Sequence, residues 1–142
     1  KMQRNIVIQY ISLFSKLTPD NIKDFDDLIS QEIIFVDPFN NVRGIVAFKN
    51  IFYHMFEKVK DPKFIVLDYA INEKRVFLKW KMTFVAFKSL QTIEGMSELL
   101  LNDDGKVISH VDYWDSLKGL FIKIPFIGYF YKFSLHMFKI KN

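Results

Sequence analysis

Cysteine is absent from the 142 residues of this sequence. Its absence excludes disulfide bonds, thiolate metal sites and thiol nucleophiles. Histidine is nearly absent as well: the three copies are His54, His110 and His136, and none forms the H-x-x-x-H spacing typical of helical zinc sites. We therefore expect no metal site.

Acidic residues are missing from the end of the chain. All 16 lie at or before Asp115, whereas five of the 20 basic residues follow it. Up to Asp115 the charges nearly balance, so we expect no nucleic-acid binding by the domain. No apolar run approaches the roughly 20 residues of a membrane-spanning helix. Polar residues interrupt the N-terminal "KMQRNIVIQYISLF", which favours a mature helix over a signal peptide. We expect a cytoplasmic protein.

Aromatic residues, in contrast, are abundant. Half of the residues are hydrophobic, and 16 are phenylalanine. The length predicts one domain that buries about two thirds of its unfolded surface. So many rings exceed the needs of a small core and are typical of walls around an apolar space.

Helical patterns occupy the first part of the chain. Val7, Tyr10 and Phe14 share one stripe of a first helix, and "TPDN" offers Thr18 as the N-cap of a second. The short run "EIIFVD" predicts a strand that ends at Pro38. After Gly44 a third helix is expected, with His54 at the edge of its polar face.

Strand patterns follow the third helix. "KFIVLDYAI", "RVFLKWKMTFVAF", "QTIEGMSELLLN" and "KVISHVDYWD" show period-two patterning and are separated by the turn-like "NEK", "KSL" and "DDG". We predict an α+β domain over residues 1–116, a cone-shaped, strongly curved antiparallel sheet closed by the N-terminal helices.

Residues 117–142 form an apolar and basic extension. Their composition predicts a helical tail that packs on the domain, on a partner subunit, or on a membrane surface as an amphipathic helix. The sequence leaves these three alternatives open.

The order of elements, together with "VDPFNNVRG", "DDGKVISHVDYWD" and a tyrosine in the first helix, resembles the SnoaL-like branch of the nuclear transport factor 2-like superfamily. The superfamily includes ketosteroid isomerase, scytalone dehydratase and polyketide cyclases. The resemblance extends from about Asn5 to Asp115. It implies a ligand cavity inside the cone and chemistry without a cofactor.

The resemblance assigns roles to particular residues. Asp37 matches the general base of the isomerase, Tyr10 its oxyanion donor, and Trp114 a ring that lines its pocket. Ser97 stands where the isomerase has a protonated acid, so at most half of that oxyanion hole is retained. His110 and Asp112 alternate with Trp114 on one strand face and could supply a different site.

Each candidate catalytic residue also has a structural interpretation. Asp37 could accept hydrogen bonds in the turn that follows it, or lie in a cavity as a base with a raised pKa. Tyr10 could be a core tyrosine, and His110 with Asp112 a buried pair that satisfies itself. In the catalytic scheme Asp37 or His110 takes a proton beside a carbonyl, Tyr10 donates to the enolate oxygen, and Asp112 orients His110.

The sequence therefore predicts that the domain binds a small, largely apolar molecule, with possible isomerase, dehydratase or cyclase activity. The alternatives are a non-catalytic binding or dimerisation module, or a membrane-peripheral protein anchored by its tail. A homodimer is expected. The residues expected to bind the ligand are Phe35, Phe39, Phe52, Trp80, Met82, Ser97 and Trp114.

Overall fold

A computed structural model describes residues 2–119, 132, 133 and 136. Its helices are α1 (Met2–Ser15), a 3₁₀ helix (Ile22–Asp27), α2 (Ile45–Lys58) and the short α3 (Ser116–Gly119). Its strands are β1 (Ile29–Val36), β2 (Asn41–Arg43), β3 (Lys60–Asn72), β4 (Arg75–Ala86), β5 (Ser89–Leu101) and β6 (Val107–Trp114). The predicted tail lies almost wholly outside the described residues, so its packing stays a prediction.

The six strands form one sheet in the order β2-β1-β6-β5-β4-β3. β3 to β6 are the predicted antiparallel meander. The expectation of a purely antiparallel sheet is wrong, because β1 runs parallel to β6. The expectation that the sheet closes is also wrong, because β2 and β3 are its two edges and the sheet is open. The fold is α+β with a mixed sheet.

The region between α1 and β1 differs from its prediction. Thr18 is not a helix N-cap; its N–H donates to Asn21 Oδ1 at 2.8 Å, and Asn21 Nδ2 donates to the Lys16 carbonyl at 2.9 Å. These bonds hold a turn, so the helix begins only at Ile22 and is a 3₁₀ helix. It still buries Ile22 and Phe25.

Tight turns fix the register of the meander. Phe87 and Lys88, both with positive φ, connect β4 to β5, and Gly105 at φ 80° turns the chain from β5 into β6. Because a slip of one residue would reverse every side chain, this register decides which residues face inward. On β4 the inward positions include Leu78 and Trp80, both buried.

The core lies between the helices and the inner face of the sheet. Its centre is a cluster of phenylalanine rings from α1, the 3₁₀ helix, β1 and α2. Neighbouring rings have centroids 5.1–5.9 Å apart, mostly at steep angles. Such pairs contribute about 0.5–1.5 kcal/mol each beyond area burial. The cluster consists of Phe14, Phe25, Phe35, Phe48 and Phe52.

Candidate functional site

A cavity of about 260 Å³ lies between α2 and the inner face of the sheet. Most of its lining is apolar. The polar residues that line it are Asp37, Asn40, His54, Ser97, His110 and Asp112. The apolar ones are Phe14, Phe35, Phe39, Ile51, Phe52, Met55, Val59, Phe64, Val66, Leu78, Trp80, Met82, Phe84, Ile93 and Trp114.

Strand β6 supplies three of the expected site residues. His110, Asp112 and Trp114 are two residues apart, so the pleat directs all three towards the cavity. Tyr113, between them, is 60% exposed on the opposite face. The one-face assignment made from the sequence therefore agrees with the register of the sheet.

His110 bridges the helical layer and the cavity wall. Its Nδ1 lies 2.7 Å from the hydroxyl of Tyr10, and its Nε2 lies 2.6 Å from Asp112 Oδ1. Tyr10 is completely buried and does not line the cavity, because His110 stands in front of it. Tyr10 therefore meets the cavity wall through His110, and its role as a donor to a ligand stays a prediction.

The polar chain continues across the sheet. Ser97 Oγ contacts the same Asp112 Oδ1, and Trp80 Nε1 donates to Ser97 Oγ at 2.8 Å. Among the described residues, none donates to Asp112 Oδ2. No buried side-chain oxygen in that part of the chain lacks a partner, so Oδ2 is an accessible oxygen. We call the five linked residues Tyr10, His110, Asp112, Ser97 and Trp80 the polar chain.

The hydrogen-bond pattern assigns the protons of the polar chain. A neutral His110 accepts from the Tyr10 hydroxyl at Nδ1 and donates from Nε2 to the Asp112 carboxylate, and every contact then has one proton. A doubly protonated His110 would donate to the Tyr10 oxygen. The buried Tyr10 proton would then have no acceptor, which is costly. The geometry therefore favours neutral His110 beside a carboxylate.

Burial reinforces this assignment. Desolvation raises the pKa of the Tyr10 hydroxyl well above its ordinary value of 10.0, and the negative charge of Asp112 raises it further. Tyr10 consequently keeps its proton at any physiological pH. It remains available as the donor that holds His110.

Asp37 has a structural role that its position in the sequence left open. Its Oδ1 accepts hydrogen bonds from the backbone N–H groups of Phe39 and Asn40 at 2.8 and 2.7 Å, and from Asn40 Nδ2 at 3.0 Å. These bonds build the turn after β1. Asp37 also lines the cavity, so the turn and cavity interpretations hold together. Its catalytic role stays a prediction.

The expected ligand-binding residues all line the cavity. Phe35 and Phe52 are buried, whereas Phe39 is 52% exposed and packs edge-on against Trp114 with centroids 5.5 Å apart. Met82 belongs to the β4 wall. Phe39 and Trp114 thus form an aromatic rim at the entrance.

Sequence reasoning missed Gly95, which faces Trp80 across β4 and β5. A Cβ at position 95 would lie 2.6 Å from the Trp80 ring and 2.9 Å from the Tyr113 carbonyl. The indole therefore lies directly over the glycine. A glycine inside a strand is a known sign of such close approach, so the signal was present. His54, expected at the surface, is exposed but also lines the cavity.

Neither a metal site nor a membrane span is formed by residues that the structure describes. No three metal-ligating side chains come together there, and no helix there is long and apolar enough to cross a membrane.

Comparison with solved structures places the fold. An NTF2-like protein from Exiguobacterium sp. is 24% identical with a TM-score of 0.67, covering 78% of this chain and 98% of its own. A putative polyketide cyclase from Xanthomonas campestris is 13% identical with a TM-score of 0.68, covering 82% and 93%. A protein of ketosteroid isomerase-like fold from Catenulispora acidiphila, in complex with trimethylamine, is 11% identical with a TM-score of 0.69, covering 81% and 88%.

These identities show a shared fold and do not transfer an activity. No curated protein matches the chain. The family model described as SnoaL-like domain matches residues 8–110, which includes α1 from Ile8 onward, the first five strands and β6 as far as His110. The chain therefore belongs to the SnoaL-like domain family.

Proposed function

We propose that this domain binds a small, largely apolar molecule in the cavity between α2 and the sheet. One observation carries the proposal: an apolar space of about 260 Å³ is lined by Asp112, whose Oδ2 receives no hydrogen bond from a described residue and whose Oδ1 is held by a fully bonded polar chain. Ligand pockets typically measure about 300–1,000 Å³, so the ligand should be small. The trimethylamine complex of one structural neighbour supports a small occupant.

The two tryptophans of the sequence provide a built-in assay, because both line the cavity. Isobutylbenzene, a small apolar probe, should change the tryptophan emission in a saturable way. Met55→Phe adds volume on the α2 side of the cavity and should weaken binding at least about tenfold by overpacking. Val46→Phe, at a 66% exposed position of α2, is the matched control. Equal binding by the two variants would place the probe elsewhere and refute the proposal.

Proton transfer at carbon is the second candidate function. It is favoured by the link from Asp112 through His110 to Tyr10. In this proposal Asp112 Oδ2 takes a proton from a carbon beside a carbonyl and returns it to another carbon of the same molecule. Asp37 and His110, the bases expected from the sequence, are less available. The turn engages both oxygens of Asp37, and hydrogen bonds occupy both His110 nitrogens.

The second candidate is tested with the same preparation and a panel of enones and hydroxy-ketones. If one is turned over, Asp112→Asn should lower the rate at least about a hundredfold, as expected for removal of a general base. Asp37→Asn serves as the comparison, because it retains the side-chain oxygen that accepts in the turn. A larger loss of rate in Asp37→Asn than in Asp112→Asn would identify Asp37 as the general base instead.

We also propose that a second copy of the chain covers the outer face of the sheet. Ile65, Met96 and Tyr113 are 43%, 48% and 60% exposed, and Met96 lies directly opposite Tyr113 in the register of β5 and β6. Exposed apolar pairs such as Met96 and Tyr113 are typical of protein interfaces.

A further inference from the structure

The charged groups of the cavity are of one sign. Two carboxylates, Asp37 and Asp112, line it, and within the described part of the chain no lysine or arginine does. The hydrogen-bond pattern makes His110 neutral, so it does not cancel the charge of Asp112. A ligand that carried a carboxylate or phosphate would meet uncompensated negative charge in an apolar space, which is strongly unfavourable.

The hydrogen-bond donors of the polar chain and of Asn40 are already engaged. Trp80 Nε1 donates to Ser97, Ser97 and His110 Nε2 donate to Asp112 Oδ1, and Asn40 Nδ2 donates to Asp37. Among the described residues of the lining, the indole N–H of Trp114 and the exposed His54 have no assigned hydrogen bond. The polar chain itself presents an acceptor, Asp112 Oδ2, and has no free donor beside it. A ligand that binds there must bring the donor.

The remaining wall is rich in aromatic rings. Trp80, Trp114 and Phe39 line the cavity together with Asp112, and Phe35 and Phe52 line it as well. Aromatic faces attract organic cations, and tryptophan does so best. The carboxylate of Asp112, the aromatic wall and the absence of lysine and arginine from the described lining all favour an organic cation as the ligand.

We propose that the cavity selects a small apolar amine, whose ammonium group binds Asp112 Oδ2 while its hydrocarbon part occupies the apolar walls. The inference rests on the proposed binding function and names its ligand class. Ser97 and His110 are positioning residues in this arrangement. They hold Oδ1 and thereby leave Oδ2 directed at the ligand.

A ketone is the main competing ligand, and the same geometry disfavours it. A carbonyl oxygen needs a donor, yet Tyr10 is behind His110 and the donors of the polar chain are used. A carbonyl placed against the polar chain would lose its hydrogen bonds to water without replacement there, which is costly. A neutral hydroxyl could donate to Asp112 but would gain nothing from the charge.

Three probes of matched size separate these classes. N,N-dimethylbenzylamine is a cation at pH 7, isobutylbenzene has the same shape without charge, and phenylacetate is an anion. Calorimetry on the full chain should find the amine bound on the order of tenfold to a hundredfold more tightly than isobutylbenzene, the range expected for a charge-assisted hydrogen bond. Phenylacetate should not bind measurably.

Asp112→Asn removes the charge and keeps the shape. It should bring amine affinity down to that of isobutylbenzene and leave the hydrocarbon unaffected. Glu94→Gln, which removes a carboxylate at an exposed position of β5, is the matched control and should change neither affinity. If Asp112→Asn does not fold, the comparison of the three probes on the unaltered chain still tests whether the cavity prefers an amine.

The possible failures are distinct. Equal affinity for amine and hydrocarbon, or tighter binding of phenylacetate, would overturn the amine inference and leave the apolar cavity proposal standing. No binding of any probe would overturn both. Amine binding that persists in full in a folded Asp112→Asn variant would refute Asp112 as its partner.

Discussion

At the scale of single residues, the polar chain explains why a histidine and a carboxylate lie in an aromatic interior. Burying either group alone would be unfavourable, but each contact from Tyr10 to Trp80 satisfies a donor and an acceptor. Because Asp112 Oδ1 receives two of these bonds, only its second oxygen is left to meet a ligand. The chain thus stabilises the fold and directs the site at the same time.

Tyr10 should make stability depend on alkaline pH. Its pKa is raised in the folded state, so the folded protein keeps a proton that the unfolded chain loses above about pH 10. Its contribution to the free energy of unfolding is therefore fully present below pH 10 and declines as pH rises further. Tyr10→Phe should remove that part of the pH dependence.

At neutral pH the same variant should cost about 1–3 kcal/mol, because His110 Nδ1 loses its partner. Urea unfolding of parent and variant between pH 7 and pH 11 measures both effects. Tyr53→Phe, on the 38% exposed tyrosine of α2, is the control and should change neither. Parallel pH profiles for parent and Tyr10→Phe would contradict the assignment of Tyr10 as the buried donor.

At the scale of elements, the cavity depends on the pairing of β4 with β5. Trp80 lies opposite Gly95, and its indole occupies the space that any side chain at 95 would need. This position brings Trp80 Nε1 within 2.8 Å of Ser97 Oγ. Gly95 is thus a positioning residue that acts on Asp112 through the tryptophan and the serine.

Gly95→Ala should displace the Trp80 ring, because the added Cβ meets it at 2.6 Å. Overpacking of this kind costs about 1–3 kcal/mol. We expect a shift of tryptophan emission and a loss of amine affinity, measured by fluorescence and calorimetry. Ala70→Val adds volume at an exposed position of β3 and should leave both unchanged. Unaltered emission and affinity in Gly95→Ala would show that Trp80 does not depend on the glycine.

At the scale of the whole molecule, the two faces of the sheet differ in what they meet. The inner face is filled by the phenylalanine cluster and the cavity, whereas the outer face exposes Ile65, Met96 and Tyr113. The exposed apolar residues of the outer face and the two edges of the open sheet both leave surface that a second copy could cover.

Sedimentation velocity of the full chain should therefore show a dimer. Combining Met96→Lys with Tyr113→Lys should give monomers, because four charges would face each other across a two-fold interface. Val46→Lys, at a 66% exposed position of α2, is the control. A parent chain that is monomeric over a wide concentration range would refute the dimer. Adding anionic vesicles tests the membrane alternative for residues 117–142 in the same instrument.

Local pattern determined much of this protein from the sequence alone. Period-two patterning fixed the four long strands, and helical spacing fixed the buried faces of α1 and α2, since side-chain direction repeats with the backbone. The alternation of His110, Asp112 and Trp114 followed from the same rule. Resemblance of short motifs added the SnoaL-like family.

Only the tertiary structure decided what depends on distant contacts. The parallel pairing of β1 with β6 joins segments about 75 residues apart, and no local pattern encodes it. The same holds for the bond between Tyr10 and His110, 100 residues apart, which moves the tyrosine from the cavity to a position behind the histidine. Hydrogen bonds depend on position to within a few tenths of an ångström. That precision arises only when the whole sheet and its helices are packed together.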